Sequence, residues 1–342
     1  MSLKNLSVIT KIPKVLKDKL KNKKITQIYK RFEKSIDIKE RFIVAVSGGP
    51  DSLALAFLSK IYSIKNNLDI KFFIVDHKLR KGSTNEALNV KRILGKYKIN
   101  AEILTWTGKK PSKNIQSMAR NARYDLLFSK SKQLKIKYLL TGHQQGDLIE
   151  NFFLRMLRGS GLKGLVSLDK KNKINDINLF RPLLDEKRED LEFLSNFVFN
   201  FYVQDPSNKN EKFKRIKIRQ LIENLKINGL DKYKFVKTLQ NLKSSNEVVN
   251  FYVRENFNRN THYLKKENKL IINQNFFLQP YEIVFRCLSN AIQMIGEKYY
   301  SVRGKKTDNL IKKLQNNRLF KVTLGGCIIE KVNQTVVIYK EY

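Results

Sequence analysis

The stretch VSGGPDSLAL, from Val46 to Leu55, constrains the fold more than any other part of the chain. It follows the apolar run FIVAV (42–46) and opens a long apolar segment of helical length. A strand, a glycine turn and a helix in that order aim the helix's N-terminal amides and its dipole at an anion. Glycine lets the backbone come close to a ligand, and Pro50 suits a first helical turn, where its missing N–H costs nothing. The loop is not the mononucleotide pattern G-x-x-x-x-G-K-[ST], because no lysine follows the glycines, and it is not G-x-G-x-x-G. The missing lysine speaks against chemistry at a γ-phosphate. Ser47, Gly48, Gly49, Pro50, Asp51 and Ser52 are expected instead to wrap a pyrophosphate.

Beyond the loop the pattern alternates. Strand-like runs at 42–46, 71–75, 101–106 and 138–141 are separated by helix-length segments such as NEALNVKRILGKYK. Such alternation predicts an α/β fold, a doubly wound parallel sheet with helices on both faces and its ligand at the carboxyl ends of the strands. Those ends carry Ser47–Ser52, Asp76–His77 and Gly142–His143. We expect a basic N-terminal arm (1–38), a catalytic ATP-binding domain (39–220), a helical region that binds RNA (221–275) and a small α+β domain (276–342). The last is read from KTDNLIKKLQNN and from the runs FKVTL, CIIEKV and TVVIYK.

Charge narrows the partners. The 342 residues carry a formal net charge of +37, which favours a polyanion such as RNA. No run approaches the ~18 uncharged apolar residues of a membrane span, and the lysine-studded start has no apolar core of a signal peptide, so the cytoplasm is expected. Only two cysteines are present, Cys287 and Cys327, too few for a disulfide framework or a cysteine metal site.

SGGPDS resembles the signature of the PP-loop ATP pyrophosphatases, whose fold is that of the adenine nucleotide alpha hydrolases. VDHKLRKGSTNEA (75–87), NIQSMARNARYDLL (114–127), TGHQQGDLIENFFLRMLRGSGLKGL (141–165), FRPLL (180–184) and DPSN (205–208) follow in order. Together they resemble one branch of that superfamily, the bacterial tRNA(Ile)-lysidine synthetases. The resemblance implies ligation of free L-lysine to C2 of the wobble cytidine of tRNA(Ile) with anticodon CAU. ATP and Mg²⁺ are used, AMP and pyrophosphate are released, and the tRNA then reads AUA rather than AUG. It leaves open whether the chain works as a homodimer.

The chemistry then suggests roles. Asp51 and Asp147 are candidate Mg²⁺ ligands, since magnesium prefers oxygen donors. Asp76 and His77 are expected near the adenosine, and Arg120 and Arg123 at phosphate or tRNA. The lysine amine, with a free pKa of about 10.4, must shed a proton before it attacks. Asp147, Glu150 or His143 could take it. Arg158, Lys214, Arg215, Lys217 and Arg219 are expected to touch the tRNA. The sequence departs from the family at Gly146, where an acidic or amide residue is usual, at Gln144, which replaces the second of two histidines, and at Ile216, which replaces an asparagine. Two rivals stay open: a PP-loop tRNA thiolase, and a tRNA-binding protein whose catalytic site has decayed.

Overall fold

The computed structural model describes residues 12–79, 82–108, 115–174, 176–203, 214–298, 302–316 and 320–341. The chain divides into two compact units, 1–236 and 237–342.

The first unit is built on a six-stranded sheet, β1 (Ile43–Val46), β2 (Lys71–Asp76), β3 (Ala101–Thr105), β4 (Tyr138–Leu140), β5 (Lys171–Ile174) and β6 (Ile177–Phe180), in the order β3-β2-β1-β4-β6-β5. The pairs β1–β2, β2–β3, β1–β4 and β4–β6 are parallel, and only β5–β6 is antiparallel. Two-residue periodicity divides the strand side chains between two cores. Val44, Val46, Phe72 and Ile74 face one, and Ile43, Phe73, Leu139 and Leu179 face the other. Burial on both faces explains why these strands read as unbroken apolar runs. Strand order reverses between β2, β1 and β4, and that reversal opens a crevice at their carboxyl ends.

The expected N-terminal arm is corrected from Ile12 onward: it is part of the first core. Helices α1 (Lys14–Leu20) and α2 (Lys23–Ser35) bury Leu16, Ile25, Ile28, Tyr29 and Phe32 in the same cluster as Phe42. The spacing 25, 28, 29, 32 is one helical stripe, so the lysines occupy the other face. Arg31 of α2 ties to Glu186 at 2.6 Å and to Asp190 at 3.2 Å. Helix α3 (Pro50–Asn66) is buried nearly all round, and α4 (Ser83–Lys96), α5 (Ile115–Gln133), α6 (Gln145–Met156), α7 (Leu162–Leu165), α8 (Arg188–Phe199) and α9 (Lys214–Ile227) follow. Helix α10 (Lys232–Asn260) begins before the division between the units, so the expected helical region (221–275) is not a unit of its own.

The second unit holds a five-stranded antiparallel sheet ordered β7-β8-β11-β10-β9. Strands β9 (Phe320–Leu324), β10 (Cys327–Val332) and β11 (Thr335–Lys340) match the three expected runs. The hairpin β7 (Thr261–Leu264) and β8 (Lys269–Ile272) adds two more, so the module starts well before 276. Helices α11 (Tyr281–Ile295) and α12 (Gly304–Gln315) pack Leu288, Ile292 and Ile311 against Ile329 and Ile338. Among the described residues no helix is long and apolar enough to cross a membrane.

Candidate active site

The glycine loop leaves β1 through Gly48, whose φ of +85° suits glycine. A Cβ there would lie 2.6 Å from Val90 Cγ2 and 2.8 Å from Val203 Cγ2, so two side chains close on the backbone. Gly49 is the N-cap and Pro50 the first residue of α3. The Ser52 hydroxyl donates to Gly49 O at 2.9 Å and accepts the Ser47 N–H at 3.1 Å. Ser52 therefore shapes the loop from within, while Ser47, Gly49 and Asp51 line the cleft above it.

The end of β4 leans on the same turn. A Cβ on Gly142 would sit 2.9 Å from the Asp51 carbonyl and from Ser52 N, an approach only glycine permits. That contact brings His143 and the start of α6 beside Asp51. Asp147 closes a capping box there: its Oδ2 accepts Gln144 N–H at 2.9 Å while Gln144 Oε1 accepts Gly146 N–H at 2.5 Å. A side chain at Gly146 would meet that Gln144 amide at 3.0 Å. The capping glutamine thus fills the space beside Gly146, where the family resemblance led us to expect an acidic or amide residue.

Electrostatics separates the carboxylates. Burial pushes Asp51 up to about 7, and the neighbouring Asp147 adds to the rise while Arg188 opposes it. Asp51 Oδ1 is buried with no hydrogen-bond partner. Burial also raises Asp147, against its hydrogen bond from Gln144. Asp76 is the opposite case. Burial works to raise it, but Thr84 Oγ1 at 2.6 Å, Ser83 Oγ at 2.8 Å and Lys78 N–H at 3.1 Å hold it below its ordinary value. Glu150 is paired with Arg219 at 2.6 Å. His143 is driven down to about 3 by burial and then by Arg181, Arg120, Arg215 and Arg123, so its ring is neutral. Its Nδ1 lies 3.0 Å from Thr141 Oγ1.

One cleft of about 370 Å³ is lined by Ser47, Gly49, Pro50, Asp51, Ser52, Asp76, His77, Arg120, Arg123, His143, Asp147 and Arg219. Glu150 reaches it through Arg219. The exposed Arg158 and Lys217 lie outside that lining. Arg215 is exposed on α9, whose Ile218 and Ile222 pack on Ile149 and Phe153 of α6. Ile216 is buried, so an asparagine there would have to hide an amide. The side chain of Lys214 and the DPSN stretch lie outside the described residues. Sequence reasoning missed Tyr124, Glu86, Gln144 and Arg188, all of which line the cleft. Arg188 gave no signal, being one charge among several in EKRED; Tyr124 lies inside the quoted ARNARYDLL but reads as an ordinary helix aromatic.

Comparison with known proteins gives the family. A PP-loop domain family matches residues 18–225. The tRNA(Ile)-lysidine synthase of Orientia tsutsugamushi (strain Boryong) is 32% identical over 314 residues, 88% of this chain and 70% of that protein. That of Wolbachia pipientis wMel is 34% identical over 306 residues, 87% of this chain and 70% of that protein. Among solved structures, the U34-tRNA thiolase NcsA from Methanococcus maripaludis with its [4Fe-4S] cluster is similar with a TM-score of 0.56 at 18% identity. The match covers 64% of this chain and 78% of that one, a likeness of fold alone. Both cysteines of this chain lie beyond residue 280, buried in the second unit. With a PP-loop domain matched over most of its length and relatives of 32–34% identity over nearly nine-tenths of it, the chain belongs to the tRNA(Ile)-lysidine synthase family of PP-loop proteins.

Proposed function

We propose that this chain joins free L-lysine to C2 of the wobble cytidine of tRNA(Ile) with a CAU anticodon, consuming ATP. The observation that carries the reading is the single cleft. It brings the pyrophosphate-type loop, two neighbouring buried carboxylates and several arginines together in a volume suited to a nucleotide.

The chemistry divides into two displacements. The cytidine C2 oxygen attacks the α-phosphorus of ATP, the α–β bridging bond breaks, and pyrophosphate leaves. The lysine side-chain amine then attacks C2, the C–O bond breaks, and AMP departs with the oxygen. Charge on the departing pyrophosphate meets the α3 amides, Ser47 and the cleft arginines. Of the three candidate proton acceptors, Asp147 fits best. Glu150 is engaged by Arg219, and the His143 ring, at about 3, is a weak base. The adenosine side of the cleft is assigned to Asp76 and His77.

Mg²⁺ fits the donor set. Asp51 Oδ1 is an orphaned buried oxygen, and the neighbouring Asp147 repels its charge. No group of three or more His, Cys, Asp or Glu is placed to hold a metal among the described residues, so phosphate oxygens and water would complete the shell. When bound, Mg²⁺ supplies charge neutralisation at the pyrophosphate.

The test is incorporation of labelled lysine into a tRNA(Ile) transcript with CAU, beside tRNA(Met) as control. Label recovered on the wobble cytidine of tRNA(Ile) alone is expected. ATP binding without lysine incorporation would sink the synthase reading and direct attention to another PP-loop substrate.

A further inference from the structure

The turn that joins β6 to α8, residues 181–187, abuts the cleft, and the reaction described above gives it no part. Its Glu186 carbonyl accepts the Gln145 N–H at 3.0 Å. That N–H is one of the amides a helix start leaves open, and it belongs to the turn of α6 that carries Asp147. Two residues past Glu186, Arg188 opens α8 and lines the cleft. Farther along α8, the buried Ser195 hydroxyl donates at 2.6 Å to the carbonyl of Pro50, the first residue of α3. One short stretch, 186–195, therefore braces the starts of the two helices that hold Asp51 and Asp147.

That stretch is held in turn by α2. The Glu186 side chain is buried, and both its oxygens take N–H groups from the Arg31 fork, Nε at 3.0 and 3.1 Å and Nη2 at 2.6 Å. One helical turn on, Ser35 Oγ donates to the Pro182 carbonyl at 3.0 Å, so α2 grips the connection near both ends. Arg31 Nη2 also reaches Asp190 at 3.2 Å, where Lys24 is a second partner at 2.9 Å. A guanidinium fork fixes the plane of a carboxylate as well as its charge. A carboxylate this buried is costly to leave in place once its partner is removed.

We propose that Arg31 is a positioning residue: through Glu186 it fixes the first turn of α6 and Arg188, and so the spacing of the groups that face the nucleotide. It does not line the cleft itself. The proposal rests on the ATP-dependent reading above, and it makes α2 part of the frame of the reaction rather than a basic arm for RNA.

The test compares Arg31→Ala, Arg31→Lys and Asp190→Asn in the full chain. Its readouts are kcat, the KM for tRNA, the ATP dissociation constant and amide hydrogen exchange at the start of α6. Arg31→Ala should lower kcat roughly tenfold, the scale of a small misplacement within a site, and leave the KM for tRNA within about twofold. It should also weaken ATP binding, and exchange at residues 145–148 should quicken about tenfold as their turn loses its anchor. Arg31→Lys keeps the charge without the fork, so melting should return close to wild type while kcat recovers only in part. Asp190→Asn removes the outer ion pair alone and should leave kcat and exchange unchanged. A raised KM for tRNA with normal kcat would make Arg31 an RNA contact and overturn the proposal. A lower melting temperature with normal kcat and exchange would mark a merely structural pair, and overturns it too. So does full kcat in Arg31→Lys, or a loss in Asp190→Asn equal to that of Arg31→Ala. If wild-type protein forms no lysidine, ATP affinity stands in for kcat. A response in affinity and exchange then keeps the proposal while the synthase reading fails, and no response overturns both.

Discussion

Two carboxylates at the same edge of one sheet are treated in opposite ways. At the end of β2, Asp76 receives two hydroxyls and a backbone N–H, and it is held below its ordinary pKa. At the start of α3, Asp51 keeps one oxygen bare, faces another acid and is pushed up to about 7. The polypeptide completes the first group itself and leaves the second incomplete. A completed carboxylate is a structural acceptor with a fixed charge, suited to gripping a neutral group such as a ribose hydroxyl. An incomplete one stores unfavourable energy that a cation or a proton releases. The second unit extends the contrast. Its buried Arg286 is ringed by Glu282, Asn246 and Asn250, and both thiols are pushed up to about 11 by burial. Arg286 leaves only its Nη2 unpaired, and the thiols donate to the Val253 and Ile292 carbonyls, so these groups mark a core rather than a reaction centre.

Amide substitutions give the largest separation. Asp51→Asn and Asp147→Asn should each lower lysidine formation by roughly three orders of magnitude, the scale of losing a principal charge-stabilising group. Asp51→Asn should nevertheless melt higher than wild type, because it removes a desolvated charge. Activity near wild type in either variant would break the assignment of these acids to the reaction. Asp76→Ala should behave in reverse, costing about 2–4 kcal/mol in denaturant unfolding by stranding Ser83, Thr84 and Lys78 N–H. If it proves neutral to stability, Asp76 is not the completed group described here. Gly48→Ala comes next, at about 1–3 kcal/mol from left-handed backbone strain plus contact with Val90 and Val203. Chemical denaturation checks both, and ATP titration of the surviving protein shows whether the loop still binds.

Much of this contrast was legible in the sequence, though unevenly. The loop, the parallel sheet and the convergence at its carboxyl edge follow from period-two apolar runs and glycine placement, and Asp51, Asp76 and Asp147 lie at that edge. Their opposite electrostatic states were not readable, because they depend on what lies across the cleft: Ser83 and Thr84 from one helix, Asp147 and Arg188 from two others. Asp147 serves both as a helix cap and as a cleft carboxylate, roles that a sequence reading sets against each other. The first two helices read as an arm because their lysines outnumber the buried Ile25, Ile28, Tyr29 and Phe32 stripe. The hairpins β5–β6 and β7–β8 were missed because runs such as KNKI and THYL are short and polar. Arg181 shows the deepest limit: nothing in FRPLL says that its side chain is buried against the Asp169 carbonyl and Asn172.

The smallest expected effect tests the contrast most directly, since it reads the stored energy rather than the reaction. Asp51 titrates near 7 in the folded chain against an ordinary value of 3.8. Between those values the folded state holds a proton that the unfolded state has released, so stability must fall as pH rises. The contribution is fully present below about pH 4 and is gone once pH has passed through 7. The raised Asp147 works in the same direction. The ceiling for one group is about 1.4 kcal/mol per pH unit, and partial solvent access reduces the total to about 1–2 kcal/mol across the window. Melting curves from pH 5 to pH 8 should therefore slope downward in wild type and flatten in Asp51→Asn. Millimolar Mg²⁺ should flatten the wild-type curve as well, because a bound cation replaces the lost proton and stabilises the form it binds. A slope that survives in Asp51→Asn would place the stored energy elsewhere. A slope removed by the substitution but not by Mg²⁺ would keep Asp51 as the strained acid and remove it from the metal site.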